Sequence, residues 1–230
     1  MKTIRSLALA TAVSVCATGA LASTVKVTYS SSYPSTLITI SGTEVVGGSA
    51  NALAGAFNMT GSEPSDASVP SNVIGSFIAW CLDAGAYLNT GTGTYTVNPE
   101  TVFAAYDVNT TAVERYFDAN FTDTIHLDAT RAAAFQVGLW QTIYTGIGQF
   151  SYSGANATDA FTALVDGFVA DGLAYSDDRI WTLTYLESSS HQSLVTATPI
   201  PLPATGFLML GVMGLGGIGV MARRRRDKAA

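Results

Sequence analysis

The 230-residue chain predicts an α+β fold: a β-rich body, sandwich- or barrel-like, with an inserted group of about three helices and a C-terminal transmembrane helix. Three observations lead there. Alternating and β-branched runs occupy both halves of the body. Apolar residues recur at helical spacing only between about residues 111 and 172. An uncharged stretch, 204–222, precedes four arginines. Three segments follow: a signal peptide over 1–22, an exported body over 23–198 and a sorting segment over 199–230.

Within the body, Thr24–Tyr29 and Thr36–Ile40 are expected strands separated by a Ser/Pro turn. Ala52–Met59 is expected as a third strand, and Gly61–Asn72, rich in Ser, Pro, Asp and Gly, as a loop. Val73–Asp83 is apolar on both faces, the pattern of a strand buried on both sides. Gly91–Thr96 alternates Gly and Thr and suggests a hairpin. Then the period changes. Thr111-Ala112-Val113-Glu114 has capping-box spacing, with Val113, Tyr116 and Phe117 at i, i+3, i+4. Asp128 can cap a second helix over 129–144. A third begins near Thr158, carries Phe161, Leu164, Val165, Phe168 and Val169 on one face, and is expected to end at Gly172. Ile180–Glu187 and Leu194–Thr198 return to strand.

The two ends are addresses. Met1–Arg5 is basic, Leu7–Val15 is uncharged and mostly apolar, and Ala20-Leu21-Ala22 suits signal peptidase, leaving Ser23 first in the mature chain. The rival, a lipidated Cys16, is disfavoured by the bulk of Val15. At the far end, 19 uncharged residues at about 1.5 Å each span roughly 28 Å, close to a bilayer's apolar thickness. Arg223, Arg224, Arg225 and Arg226 then stay cytoplasmic, with the body across the membrane. A permanent single-pass anchor is one meaning of this pattern. However, Pro199-Ile200-Pro201-Leu202-Pro203-Ala204 sits directly before the span, and Pro-Leu-Pro-Ala, a Gly-rich helix and an Arg cluster together resemble the bacterial PEP-CTERM sorting signal. The variant resembled is VPLPA, with Ile200 in place of the usual Val. That resemblance implies cutting near the proline motif by an exosortase-type protease. The body would be held briefly in the inner membrane and then delivered to the cell surface or released.

Residues 23–222 carry 4 basic and 16 acidic side chains, a net charge of −12. Such a body repels phosphate backbones, which excludes nucleic acid as a partner.

If Cys16 leaves with the signal, Cys81 is the mature chain's one cysteine, whereas exported proteins usually pair theirs. Alternation places Phe77, Ala79 and Cys81 on one face near a strand end. An inert thiol packed like a small hydrophobe accounts for it equally. In the second helix, Ala132, Phe135, Leu139, Trp140 and Ile143 form a core stripe, and Gln136 lies inside it. A buried amide without partners costs roughly 1–3 kcal/mol, so Gln136 needs either main-chain partners or a chemical role. Attack of the thiolate on that amide would expel ammonia and leave a thioester.

Trp80-Cys81-Leu82-Asp83 resembles the aromatic-Cys-aliphatic-acid motif of bacterial thioester domains. Phe135-Gln136-Val137-Gly138-Leu139-Trp140 is similar to their Gln motif, with Gly138 where Ala is frequent. The resemblance implies Cys81 and Gln136 as the cross-linking pair, Trp80, Asp83 and Phe135 as supporting motif residues, and Trp140 packed over the bond. It also implies an adhesion module that captures an amine-bearing surface or polysaccharide-associated partner.

Other chemistry is poorly supplied. His126 and His191 are the only histidines, and no Gly-x-Ser-x-Gly elbow accompanies them, which leaves a secreted hydrolase a remote alternative. Zinc ligands are too few and the Asp-rich loops lack EF-hand spacing, so neither a metal nor a cofactor is expected. A non-covalent structural protein of the extracellular matrix is the main alternative to the thioester module.

Processing is directly testable. N-terminal sequencing and intact mass of exported material should show Ser23 first and the chain ending near Pro203. Extracellular chains that still carry the four arginines would exclude the sorting signal.

Overall fold

The computed structural model describes residues 22–99, 108–145 and 150–201. The expected leader, and the sorting segment from Leu202, Pro203 and Ala204 through Arg223, Arg224, Arg225 and Arg226, lie outside the described residues. No helix among the described residues is long and apolar enough to cross a membrane.

Six strands close into an antiparallel barrel in the order β1 (Thr24–Ser32), β4 (Phe57–Ser62), β5 (Gly75–Cys81), β9 (Leu194–Pro199), β8 (Trp181–Glu187) and β6 (Thr92–Val97), with β6 returning to β1. Val25 and Val27 of β1, Phe77, Ala79 and Cys81 of β5, and Tyr95 and Val97 of β6 alternate into the core, as a period of two requires. Beside the barrel lies a three-stranded sheet in the order β3 (Ser49–Ala54), β2 (Thr36–Ser41), β7 (Ser151–Ser153). Three helices, α1 (Thr110–Asn120), α2 (Ala129–Tyr144) and α3 (Asp159–Ala174), are inserted between β6 and β8 and pack on one another. The β-rich, barrel-like body with three inserted helices matches the expected class.

Five local expectations need correction. Ala52–Met59 is two strands in two different sheets, because Gly55 turns the chain at φ +151° and lies against Pro34 and Ser35. Gly91–Thr96 is no hairpin; β6 runs straight between β1 and β8. Its glycine at 93 instead makes room for an imidazole, since a Cβ there would stand 2.8 Å from the His191 ring. The first helix is capped by Asn109, whose carboxamide oxygen accepts the Ala112 N–H, and not by Thr111. Gly172 does not end α3, which continues to Ala174; a Cβ at 172 would approach the Tyr116 Cα to 3.0 Å. The capping of α2 by Asp128 and of α3 by Thr158 follows the expectation. The Val73–Asp83 strand begins later than expected, at Gly75, after a 3-10 turn over Ser71–Val73.

An aromatic cluster joins barrel to helices. Trp80 of β5 packs on Phe135 of α2 with ring centroids 4.6 Å apart, and Phe135 meets Tyr116 and Phe117 of α1 at 4.9 and 5.2 Å. Phe121 bridges Trp80 to Trp181 of β8. Asp118 adds a polar tie at the same junction, its buried carboxylate accepting the Ile180 and Trp181 N–H groups at 3.1 and 2.9 Å. Within the helical layer, the Tyr116 hydroxyl donates to the Phe135 carbonyl at 2.7 Å. It lies directly over Gly138, where a Cβ would stand 2.5 Å from the hydroxyl oxygen.

Gly138→Ala should therefore destabilise the fold by about 1–3 kcal/mol through overpacking, despite the better helix propensity of Ala. Chemical denaturation would measure it. Tyr116→Phe should recover part of the loss by removing the colliding oxygen.

Candidate functional site

β5 outruns its neighbour. β4 begins at Phe57, opposite Ala79, so on that side Cys81 has no strand partner. On the other side β9 still pairs, with Trp80 opposite Val195 and the Leu82 N–H reaching the Ser193 carbonyl at 2.9 Å. The β4-facing main-chain groups of Cys81 would be orphaned inside the protein, which is costly. The side chain of Gln136 supplies their partners: its Oε1 accepts the Cys81 N–H at 2.9 Å, and its Nε2 donates to the Cys81 carbonyl at 2.7 Å. A carboxamide thus continues the ladder where a strand has stopped.

Helix α2 delivers that carboxamide. Its apolar stripe, Ala132, Phe135, Leu139, Trp140 and Ile143, is buried against barrel and helices, and Gln136 is fully buried with it. Phe135, next to Gln136, is locked by the aromatic cluster. The two residues 55 positions apart are therefore brought together by packing on one side and by two hydrogen bonds on the other.

The thiol is buried and unpaired by any disulfide. Burial pushes it well above its ordinary pKa, and the negative charge of Asp83 adds to the rise. Asp83 is itself lifted, chiefly by burial and further by Glu187 and Glu44, although the Gly85 N–H bonds its carboxylate at 2.6 Å. The Asp83 main-chain carbonyl accepts from Gln192 Nε2, which fixes the turn leaving β5. Tyr144 secures the next residue, its hydroxyl oxygen accepting the Ala84 N–H at 2.9 Å.

Beside Cys81 opens a cavity of about 310 Å³, walled by β1, β4, the β2–β3 sheet and the segment from Ala84 to Thr90. Cys81 and Trp140 both line it. The Trp140 indole is buried, and its N–H has no hydrogen-bond partner among the described residues. Trp80 lines no part of that cavity; it belongs to the aromatic junction. Pro201, the one described residue of the Pro-Leu-Pro-Ala motif, is exposed just beyond β9.

The structure thus brings together Cys81, Gln136 and Trp140, with Trp80 and Phe135 behind them and Asp83 at the strand's exit. Gln192 and Tyr144 were not foreseen. Gln192 sits in a Ser-rich stretch without periodicity, and Tyr144 at a helix end reads as ordinary core. No group of three or more His, Cys, Asp or Glu side chains placed to hold a metal occurs among the described residues.

The chain matches no known protein family profile and no curated protein in sequence. Among solved structures it is similar to the N-terminal thioester domain of a surface protein from Clostridium perfringens, at 8% identity over 72% of this chain and 100% of that one, with a TM-score of 0.42. It is also similar to the N-terminal domain of the Streptococcus pyogenes pilus tip adhesin Cpa, at 10% identity over 75% and 98% of the respective chains, with a TM-score of 0.39.

The carboxamide clamp has a measurable worth. In a Cys81→Ala background, where no covalent bond can contribute, Gln136→Ala should cost about 2 kcal/mol by stranding a buried N–H and C=O. Gln136→Glu should cost more at neutral pH, because an ionised carboxyl faces the Cys81 carbonyl. Protonated, that carboxyl can again donate, and its folded pKa must lie above the unfolded value of about 4.3. Its stability deficit should then shrink as pH falls through the folded pKa. Denaturation midpoints across pH check both.

Proposed function

We propose that this chain is an exported cell-surface or matrix module in which Cys81 and Gln136 close an intramolecular thioester that acylates an amine on a partner. The observation that carries the reading is the pair of hydrogen bonds joining the Gln136 carboxamide to the Cys81 main chain. They hold the acyl carbon of Gln136 against the very residue whose thiol would attack it, and reactive groups so positioned gain heavily in rate.

Formation is a single exchange. The Cys81 sulphur bonds to Gln136 Cδ, the Cδ–Nε2 bond breaks, and the thiol proton leaves on nitrogen as ammonia. The Cys81 N–H already donates to Gln136 Oε1 at 2.9 Å, so it faces the oxygen on which negative charge develops. The other bond, from Nε2, departs with the ammonia. Because burial disfavours the thiolate, closure should be slow at neutral pH and quicken as pH rises toward the raised thiol pKa. In the reverse sense, a thiol that resists ionisation is a reluctant leaving group, which suits a stored acyl group awaiting one amine. The event is a single covalent capture with no turnover. The ends supply the address: an exosortase-type system would cut near Pro203 and release or transfer the body.

A second reading is favoured by the same two hydrogen bonds. They satisfy Gln136 without any covalent chemistry, and the raised thiol pKa is that of an inert buried cysteine. The protein would then be a non-covalent structural component of the extracellular matrix.

Intact mass decides between them. The thioester form is lighter than the calculated mass by one ammonia and has no titratable thiol under native conditions. Methylamine should free Cys81 and add the amine at Gln136. Cys81→Ala should restore the full mass and abolish uptake, and Gln136→Ala should leave a free thiol. Full mass with a free thiol in amine-free material would favour the matrix protein.

A further inference from the structure

We infer that the cavity beside Cys81 is a selectivity pocket for a primary amine carried on an uncharged apolar body, an alkyl or aryl-alkyl amine rather than a polycation. The inference rests on the thioester reading for its chemistry and on the cavity itself for its selectivity.

The walls argue for such a body. Tyr29, Ile40, Leu53, Phe57, Leu88 and Trp140 present apolar and aromatic surface, and none of the described lining residues is charged. This is unexpected in a segment carrying 16 acidic against 4 basic side chains. Asp83, two residues from Cys81, is not part of the lining and is bound to the Gly85 N–H. A polyamine would have to bring further ammonium groups into this space with no carboxylate to receive them, and unpaired buried charge is strongly disfavoured. An alkyl or aryl chain instead gains from leaving water. The volume of about 310 Å³ lies at the small end of known ligand pockets, enough for one ring or a short chain. Leu53 and Tyr87 stand exposed in the same lining and would meet the ligand first.

The reacting end also profits from low polarity. An amine attacks as its free base, and burial lowers an ammonium's pKa, so desolvation raises the reactive fraction beside Cys81. The amine nitrogen bonds to Gln136 Cδ and the Cδ–S bond breaks with its electrons on sulphur. The nitrogen's surplus proton ends on the Cys81 thiol. The products are a substituted amide at Gln136 and a free cysteine.

The test compares amines on the processed protein, following adduct formation by intact mass at fixed pH and free-base concentration. Propylamine, pentylamine and phenethylamine should react progressively faster than methylamine, roughly three- to fourfold per added methylene until the cavity is full. Spermidine should be no faster than methylamine. Leu53→Glu, placing a carboxylate among exposed lining residues, should slow phenethylamine and speed spermidine. A short peptide with one lysine between two phenylalanines distinguishes sources: if it outruns pentylamine the body belongs to a protein side chain, and if it lags the ligand is a free amine. Equal rates for all amines, or spermidine the fastest, would overturn the pocket and leave the thioester standing. If no amine reacts and no ammonia is missing, the thioester reading fails, and the pocket is judged on Cys81→Ala by calorimetry. There, phenethylamine binding at least tenfold tighter than spermidine sustains the pocket, and no difference ends it.

Discussion

The carboxamide of Gln136 bonded to both main-chain groups of Cys81 is the constraint on which the rest of the site depends. Barrel strands need partners along their whole length, and β5 exceeds β4 by two residues at the end that faces the helices. Filling that gap with a side chain from α2, rather than with another strand, fixes where α2 sits and how far it can slide. A one-turn shift of α2 would leave a buried N–H and C=O without partners. The clamp therefore sets the register between the helical insert and the barrel as well as the geometry of the site.

Packing enforces the same register from the other side. Trp80 and Phe135 flank the clamp residues in sequence, and their rings meet at 4.6 Å. Tyr116 holds the Phe135 carbonyl and needs Gly138 beneath it, so the glycine that departs from the thioester-domain pattern answers to a local collision. The residues around the Cys and the Gln thus have structural duties of their own.

Much of this was legible in the sequence, for identifiable reasons. The strands β1 and β8 and the helix α2 stand where strong periodicity and the α2 cap put them, and β5 and α3 depart from it only at one end, β5 starting at Gly75 and α3 continuing to Ala174. Gln136 was conspicuous because a polar residue in an apolar stripe is expensive. Its actual partners, the main chain of Cys81, were invisible, since nothing in the sequence says that β4 ends two residues early. The glycines misled consistently: at 55, 93 and 172 they mark a turn and two close approaches, where pattern alone suggested a strand, a hairpin and a helix end. The cavity was also beyond reach, because its walls come from β1, β2, β3, β4 and α2, elements far apart in the chain.

Low polarity at the site has two opposed consequences. It holds the Cys81 thiol protonated, which would slow closure of the proposed thioester, and it buries the Gln136 carboxamide away from water, which would preserve such a bond once closed. A stored acyl group that reacts only once, as proposed, would gain more from preservation than from speed. On the thioester reading the same environment would filter the amine, because only a partner that can shed its charge and hide its body would reach the bond. The acidic surface acts in the other direction, gathering cations from solution over a Debye length of about 8–10 Å. If the proposed thioester forms, long-range attraction and short-range exclusion would select together for a partner with a single positive charge on an apolar stem, drawn in as the ammonium and reacting as the free amine.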